Sequence, residues 1–153
     1  MFLIICHVCV NLKKVSIELF RKCKKLIRNP GNKEQQAMYS VVEQNLITLI
    51  SLTPRRATAE IAREFKDYLF DLIENKNIRQ VVIDLETVQF MDSFFLGAIV
   101  SSLKKCRNMG GDIRLANMQK SLRPVFELMH LDEVFSIFKS RQEALESYSL
   151  IKN

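Results

Sequence analysis

Apolar and polar positions change period several times after residue 38, and the changes divide the chain into strands and helices. Tyr39 to Glu43 and Leu46 to Leu52 are short apolar runs around Gln44-Asn45, a pattern that predicts two strands and a turn. From Thr58 to Glu74 the period becomes helical. Ile61, Ala62, Phe65, Tyr68, Leu69, Leu72 and Ile73 form one stripe, with Arg63, Glu64, Lys66, Asp67 and Asp71 opposite. Val81 to Leu85 is β-branched and almost wholly apolar, as a strand covered on both faces would be. A second helix follows Asp92-Ser93. Its Leu96, Ile99, Val100, Leu103 and Arg107 fall at helical spacing, and Ser101, Ser102, Lys104 and Lys105 turn toward water. A strand at Asp112 to Ala116 comes next, then a short helix from about Ser121 whose Pro124 is tolerated in the first turn. A strand at Val134 to Phe138 leads to a last helix opened by Ser140-Arg141-Gln142-Glu143, a capping box. The alternation predicts one α/β domain, a mixed sheet of four to five strands covered by about four helices.

The densest chemistry lies at Asp92-Ser93, where the buried strand hands over to the second helix. Unpaired backbone N–H groups and the positive end of the helix dipole favour an anion there, so a phosphorylated Ser93 is physically comfortable. Asp and Ser are also among the best N-cap residues, and a cap alone accounts for the pair. Capping does not account for Phe94 and Phe95 in the same turn. With Leu96 and Ile99 facing in, at least one ring faces out. Phe94 is expected to be that one, because Phe95 shares a helical side with Ile99.

Composition narrows the classes of function. The chain has 153 residues, 48% hydrophobic and 26% charged, the balance of an ordinary globular domain. Its formal charge of +6 is unevenly placed. Residues 1–37 hold eight Lys or Arg against two acids, whereas 38–153 hold fifteen of each. The domain is therefore neutral, without the basic stripe that nucleic-acid binding requires. Cys6, Cys9 and Cys23 lie in the leading segment and Cys106 alone after it, the usage of a reducing, cytoplasmic compartment. Cys6-His7-Val8-Cys9 is half a metal or redox motif with no second half. Met1 to Val10 is apolar apart from His7, but a bilayer span needs about 20 residues. Leu12, Val15, Leu19, Cys23 and Leu26 could line one side of a basic amphipathic helix. Residues 1–37 are thus read as a basic leader, with disorder, amphipathic helix and a start site set too early all open. The last rests on Met38 opening the first strand and on Lys33-Glu34, which AAGGAG, a ribosome-binding sequence, can encode.

From about Met38 to Ser147 the chain resembles the sulfate-transporter and anti-sigma-factor-antagonist (STAS) domain, here the bacterial anti-sigma-factor antagonists. Asp92-Ser93-Phe94-Phe95-Leu96-Gly97 stands where that family has Asp-Ser-Ser-Gly-Leu-Gly. Gly110-Gly111 matches its Gly-Gly before the fourth strand, and Leu128 to Phe135 its leucine-rich turn into the last strand. The resemblance implies a binding module without catalytic residues or cofactor. Ser93 would be phosphorylated by a serine-kinase-type anti-sigma factor and restored by a cognate phosphatase. Asp92, Ser93, Phe94, Phe95, Arg55 and Arg56 would meet the partner. Two departures stand out: Phe94-Phe95 replaces small residues, and Leu52-Thr53-Pro54-Arg55-Arg56 reverses the charge of the acidic segment usual before the first helix. His130 stands where the family has Gly, at a position that wants a left-handed conformation. Two rival functions are a structural or regulatory subunit of a lipid-transporting ATPase complex and a small-molecule or nucleotide sensor. Neither a Gly-x-Gly-x-x-Gly nor a Walker loop is present.

Overall fold

The computed structural model describes residues 38–149 except Asn45. The expectations for residues 1–37 lie outside the described residues. β1 (Tyr39–Gln44) and β2 (Ile47–Leu52) form an antiparallel hairpin. β3 (Arg56–Ala57) precedes α1 (Ala59–Glu74), and β4 (Gln80–Asp84) returns through the sheet. Next come β5 (Phe90–Met91), α2 (Ser93–Asn108) and β6 (Asp112–Ala116). Two short helices, α3 (Arg123–Leu128) and α4 (Leu131–Val134), lead to β7 (Ile137–Phe138) and α5 (Arg141–Ser149). The main sheet has the order β1-β2-β4-β6-β7, parallel except at β1, and β3 pairs with β5 in a separate parallel ladder. The fold is mixed α/β, as the alternation predicts.

Side-chain alternation along the strands builds two cores. On one face Val81, Ile83, Ile113 and Leu115 meet Phe65, Leu69 and Leu72 of α1 and Leu96, Ile99 and Leu103 of α2. On the other, Ile47, Leu49, Val82 and Ala116 meet Ala144 and Tyr148 of α5. Residues 81–84 of β4 are buried without interruption, because this central strand is covered on both faces. α5 is also held by polar contacts. The single proton of the Tyr148 hydroxyl is shared between the carbonyls of Asp112 at 2.7 Å and Val81 at 3.0 Å, and the Arg114 guanidinium stacks 3.6 Å from the Tyr148 ring centroid.

Several local expectations are corrected. Leu46 belongs to the hairpin turn rather than to a strand: its φ is 70° and its side chain is 82% exposed, since Gln44 and Ile47 already close the ladder. Val134 ends a short helix, leaving only Ile137–Phe138 as strand. Ser102 does not face water. It is buried on α2, and its hydroxyl donates to the Ala98 carbonyl at 2.8 Å, which satisfies a polar group inside the core. Arg107 leaves the apolar stripe for an exposed position and donates to Asp112 and to the Val134 carbonyl. Ser140 caps α5 by accepting from Glu143 N, but the Glu143 carboxylate reaches Lys139 N, one residue short of a capping box. His130 adopts the left-handed conformation, φ 53°, at the corner between α3 and α4.

Candidate functional site

The segment that carries Asp92 and Ser93 does not run on from β4. After Asp84 the chain turns at Glu86-Thr87 and is tied down at each step, and only then forms β5. Leu85 N donates to Ala116 O, Glu86 N to the Asp84 carboxylate, and the Thr87 hydroxyl to Leu52 O. Gln89 N and Phe90 N both donate to Arg55 O, and Asp92 N donates to Ala57 O at 3.0 Å. Periodicity misses this because two residues of strand are too few to show an alternation. The register Arg56↔Phe90 and Ala57↔Met91 buries Ala57 and Met91 and leaves Arg56 and Phe90 outside.

Asp92 is the N-cap of α2, and it also closes α1. One carboxylate oxygen accepts from Phe95 N at 2.8 Å, and the other accepts from Ala59 N at 2.7 Å. Thr58, the N-cap of α1, makes no side-chain cap of its own. A single carboxylate thus serves the amino ends of both long helices, where orphan N–H groups and dipoles favour negative charge. With capping assigned to Asp92, Ser93 becomes the first helical residue. Its side chain is exposed and, among the described residues, its hydroxyl has no hydrogen-bond partner.

The two phenylalanines part at the same turn. Phe94 is 71% exposed, whereas Phe95 is fully buried and stacks on Phe65 at 5.1 Å between centroids. Phe95 therefore lies in the core, which places it beneath the surface that Asp92, Ser93 and Phe94 share. Arg55 and Arg56 are exposed on β3 and just before it, and Arg56 Cζ lies 4.3 Å from the centroid of the Phe90 ring. Phe90, 42% exposed, joins the patch although its own strand is too short to mark it as outward-facing in the sequence. Among the described residues, no group of three His, Cys, Asp or Glu is placed to hold a metal ion, and no helix is long and apolar enough to cross a membrane.

A family model of the STAS domain matches residues 41–144. The chain belongs to the STAS domain family. A relative from Thermotoga neapolitana, named as a candidate anti-sigma factor antagonist, is 32% identical over 108 residues, covering 71% of this chain and 93% of that one. The crystal structure of a similarly named protein of Thermotoga maritima superposes with a TM-score of 0.65 at 30% identity, covering 72% of this chain and 93% of its own. The Bacillus cell fate determinant SpoIIAA, solved in a phosphorylated form, shares the fold at a TM-score of 0.60 and 16% identity, covering 72% and 98%. The domain thus has the fold of anti-sigma factor antagonists.

Proposed function

We propose that this STAS domain is a non-enzymatic partner-switching module of the cytoplasm. Unmodified, it binds a serine-kinase-type anti-sigma factor through the surface of Asp92, Ser93, Phe94, Arg55 and Arg56. The kinase moves the γ-phosphoryl group of ATP to Ser93 Oγ, which gives up its proton as ADP leaves, and the modified surface lets go. A cognate phosphatase restores the hydroxyl. One observation carries the reading: Asp92 takes over the capping of both helices, so the exposed Ser93 hydroxyl serves no structural bond among the described residues. A phosphate there adds nearly two negative charges at a helix amino end without breaking the fold. That SpoIIAA, a protein of the same fold, was solved in a phosphorylated form supports the class of switch.

The test is direct. Incubated with ATP and its partner kinase, the protein gains one phosphate, and Ser93→Ala abolishes it. Ser102 is buried and Ser101 donates to Gly97 O at 2.7 Å, so both are poorer acceptors. Mass spectrometry that places the phosphate on either of them removes the assignment.

A further inference from the structure

The side chains beside Ser93 allow one step more, which rests on Ser93 being the phosphorylated residue. Arg56 and Phe90 face each other in the β3–β5 ladder, with the guanidinium over the ring at 4.3 Å. Among the described residues, Arg107, Arg114 and Arg141 each have an Asp or Glu within ion-pair range, and Arg56 has none. Its charge is met only by the face of an exposed ring, a weaker partner than an anion with several acceptor oxygens.

The ladder sets the reach. Ala57 O accepts from Asp92 N, so Arg56 precedes and Ser93 follows the residues of one hydrogen bond. Three residues of backbone and one inter-strand spacing keep the two Cα atoms within about 11 Å. An extended arginine and a phosphoserine together bridge that gap. Asp92, whose two carboxylate oxygens accept from Ala59 N and Phe95 N, is held on the two helix ends and makes no ion pair with Arg56.

We propose that Arg56 is the receptor, within the same chain, for a phosphoryl group on Ser93. On phosphorylation the guanidinium leaves Phe90 and pairs with the phosphate oxygens, and the face of the Phe90 ring is uncovered. The modified domain then differs from the free one in the shape of its apolar surface as well as in charge. This gives a partner that acts on the phosphorylated form, such as a phosphatase, something to read besides the phosphate.

Phosphoserine encoded at position 93 of the full chain tests this without a kinase. Phosphorus NMR follows the second ionisation of the phosphate in the otherwise unaltered protein, in Arg56→Gln and in Lys104→Gln. Lys104 is an exposed cation about 16 Å further along α2, beyond the screening length at physiological salt. The remaining charges near the two helix ends, Asp92, Glu60 and Arg55, are common to all three proteins. Arg56→Gln is expected to raise the phosphate pKa by roughly half a unit, and Lys104→Gln to leave it unmoved. In the unaltered protein, the Arg56 side-chain protons should lose their ring-current shift from Phe90 only when position 93 is phosphorylated. An Arg56→Gln titration that coincides with that of the unaltered protein overturns the proposal, and so does an unchanged ring-current shift. Failure of a kinase to modify Ser93 would instead remove the partner-switching reading, because the phosphate here is installed during translation.

Discussion

Asp92, Phe94 and Phe95 are neighbours in the chain with three different tasks. Asp92 accepts from Phe95 N and Ala59 N, so Asp92→Ala leaves the amino ends of both α1 and α2 without their side-chain cap. At about 1 kcal/mol for each lost cap, denaturant unfolding should show a loss of roughly 2 kcal/mol, and Asp92→Asn a smaller one. Phe95 is fully buried against Phe65, and truncating it to Ala is expected to cost about 3–5 kcal/mol. Phe94, 71% exposed, should behave in the opposite way. Phe94→Ala is expected to leave stability within about 0.5 kcal/mol and to weaken partner binding at least tenfold, or about 1.4 kcal/mol. Unfolding and affinity measured on the same variant decide it. A destabilised Phe94→Ala with unaltered affinity would make that ring a packing residue. Which of two adjacent rings faces out was legible, because Phe95 lies four residues before Ile99 on the inward side of the helix. That one carboxylate reaches two helices was not, since Ala59 lies 33 residues away.

At the scale of elements, the turn between α2 and β6 is set by a close approach. A Cβ on Gly111 would stand 2.4 Å from the Arg79 carbonyl oxygen and 2.7 Å from Cys106 Sγ. Gly110 has φ 77°, open to glycine at little cost. Gly111→Ala is expected to lose about 1–3 kcal/mol through overpacking, with the melting temperature as the measure. Gly97 makes a useful contrast, because a Cβ there would meet nothing within 4 Å. The long helices α1 and α2 could be read from their periodicity to within a residue or two. The elements that were misjudged are short. Val134 falls in a four-residue helix, and β3 and β5 have two residues each, lengths at which tertiary hydrogen bonds outweigh local preference.

Across the whole molecule, burial pushes several neutral acids to keep their protons. Burial, helped by the charge of Asp112, raises the Cys106 thiol to about 11, and Tyr39 is raised to about 12 by burial and then by Glu64. Tyr68 and Tyr148 move in the same direction, again chiefly through burial. The unfolded chain loses these protons at lower pH than the native one, so it gains from ionisation first. The stability that the Cys106 thiol contributes is present in full below its ordinary pKa of about 9 and is lost as pH rises through 11, whereas that of the tyrosines is lost only as pH rises above 10. Urea unfolding at pH 7.5 and pH 10.5 should therefore differ by about 1–2 kcal/mol from the thiol alone, and Cys106→Ala should narrow the difference. Rapid reaction of Cys106 with a thiol reagent in the native protein at pH 8 would contradict this placement.

What the sequence determined by itself was whatever the local period and residue chemistry encode. The α/β alternation, the doubly buried β4, the inward stripe of α1 and the pairing of a cap residue with a hydroxyl at the start of α2 all follow from spacing within about twenty residues. The Asp-Ser-x-x-Leu-Gly run and Gly110-Gly111 also pointed to the STAS family, to which the chain belongs. The tertiary structure alone decided which groups meet across long separations. It placed Asp92 on α1 as well as α2, Arg56 over Phe90, and Tyr148 on the carbonyls of β4 and β6. It also buried Ser102, because a hydroxyl that bonds its own helix can enter a core that its polarity alone would deny it. Periodicity records which side of an element is covered, whereas the partner that covers it depends on how distant segments close against one another.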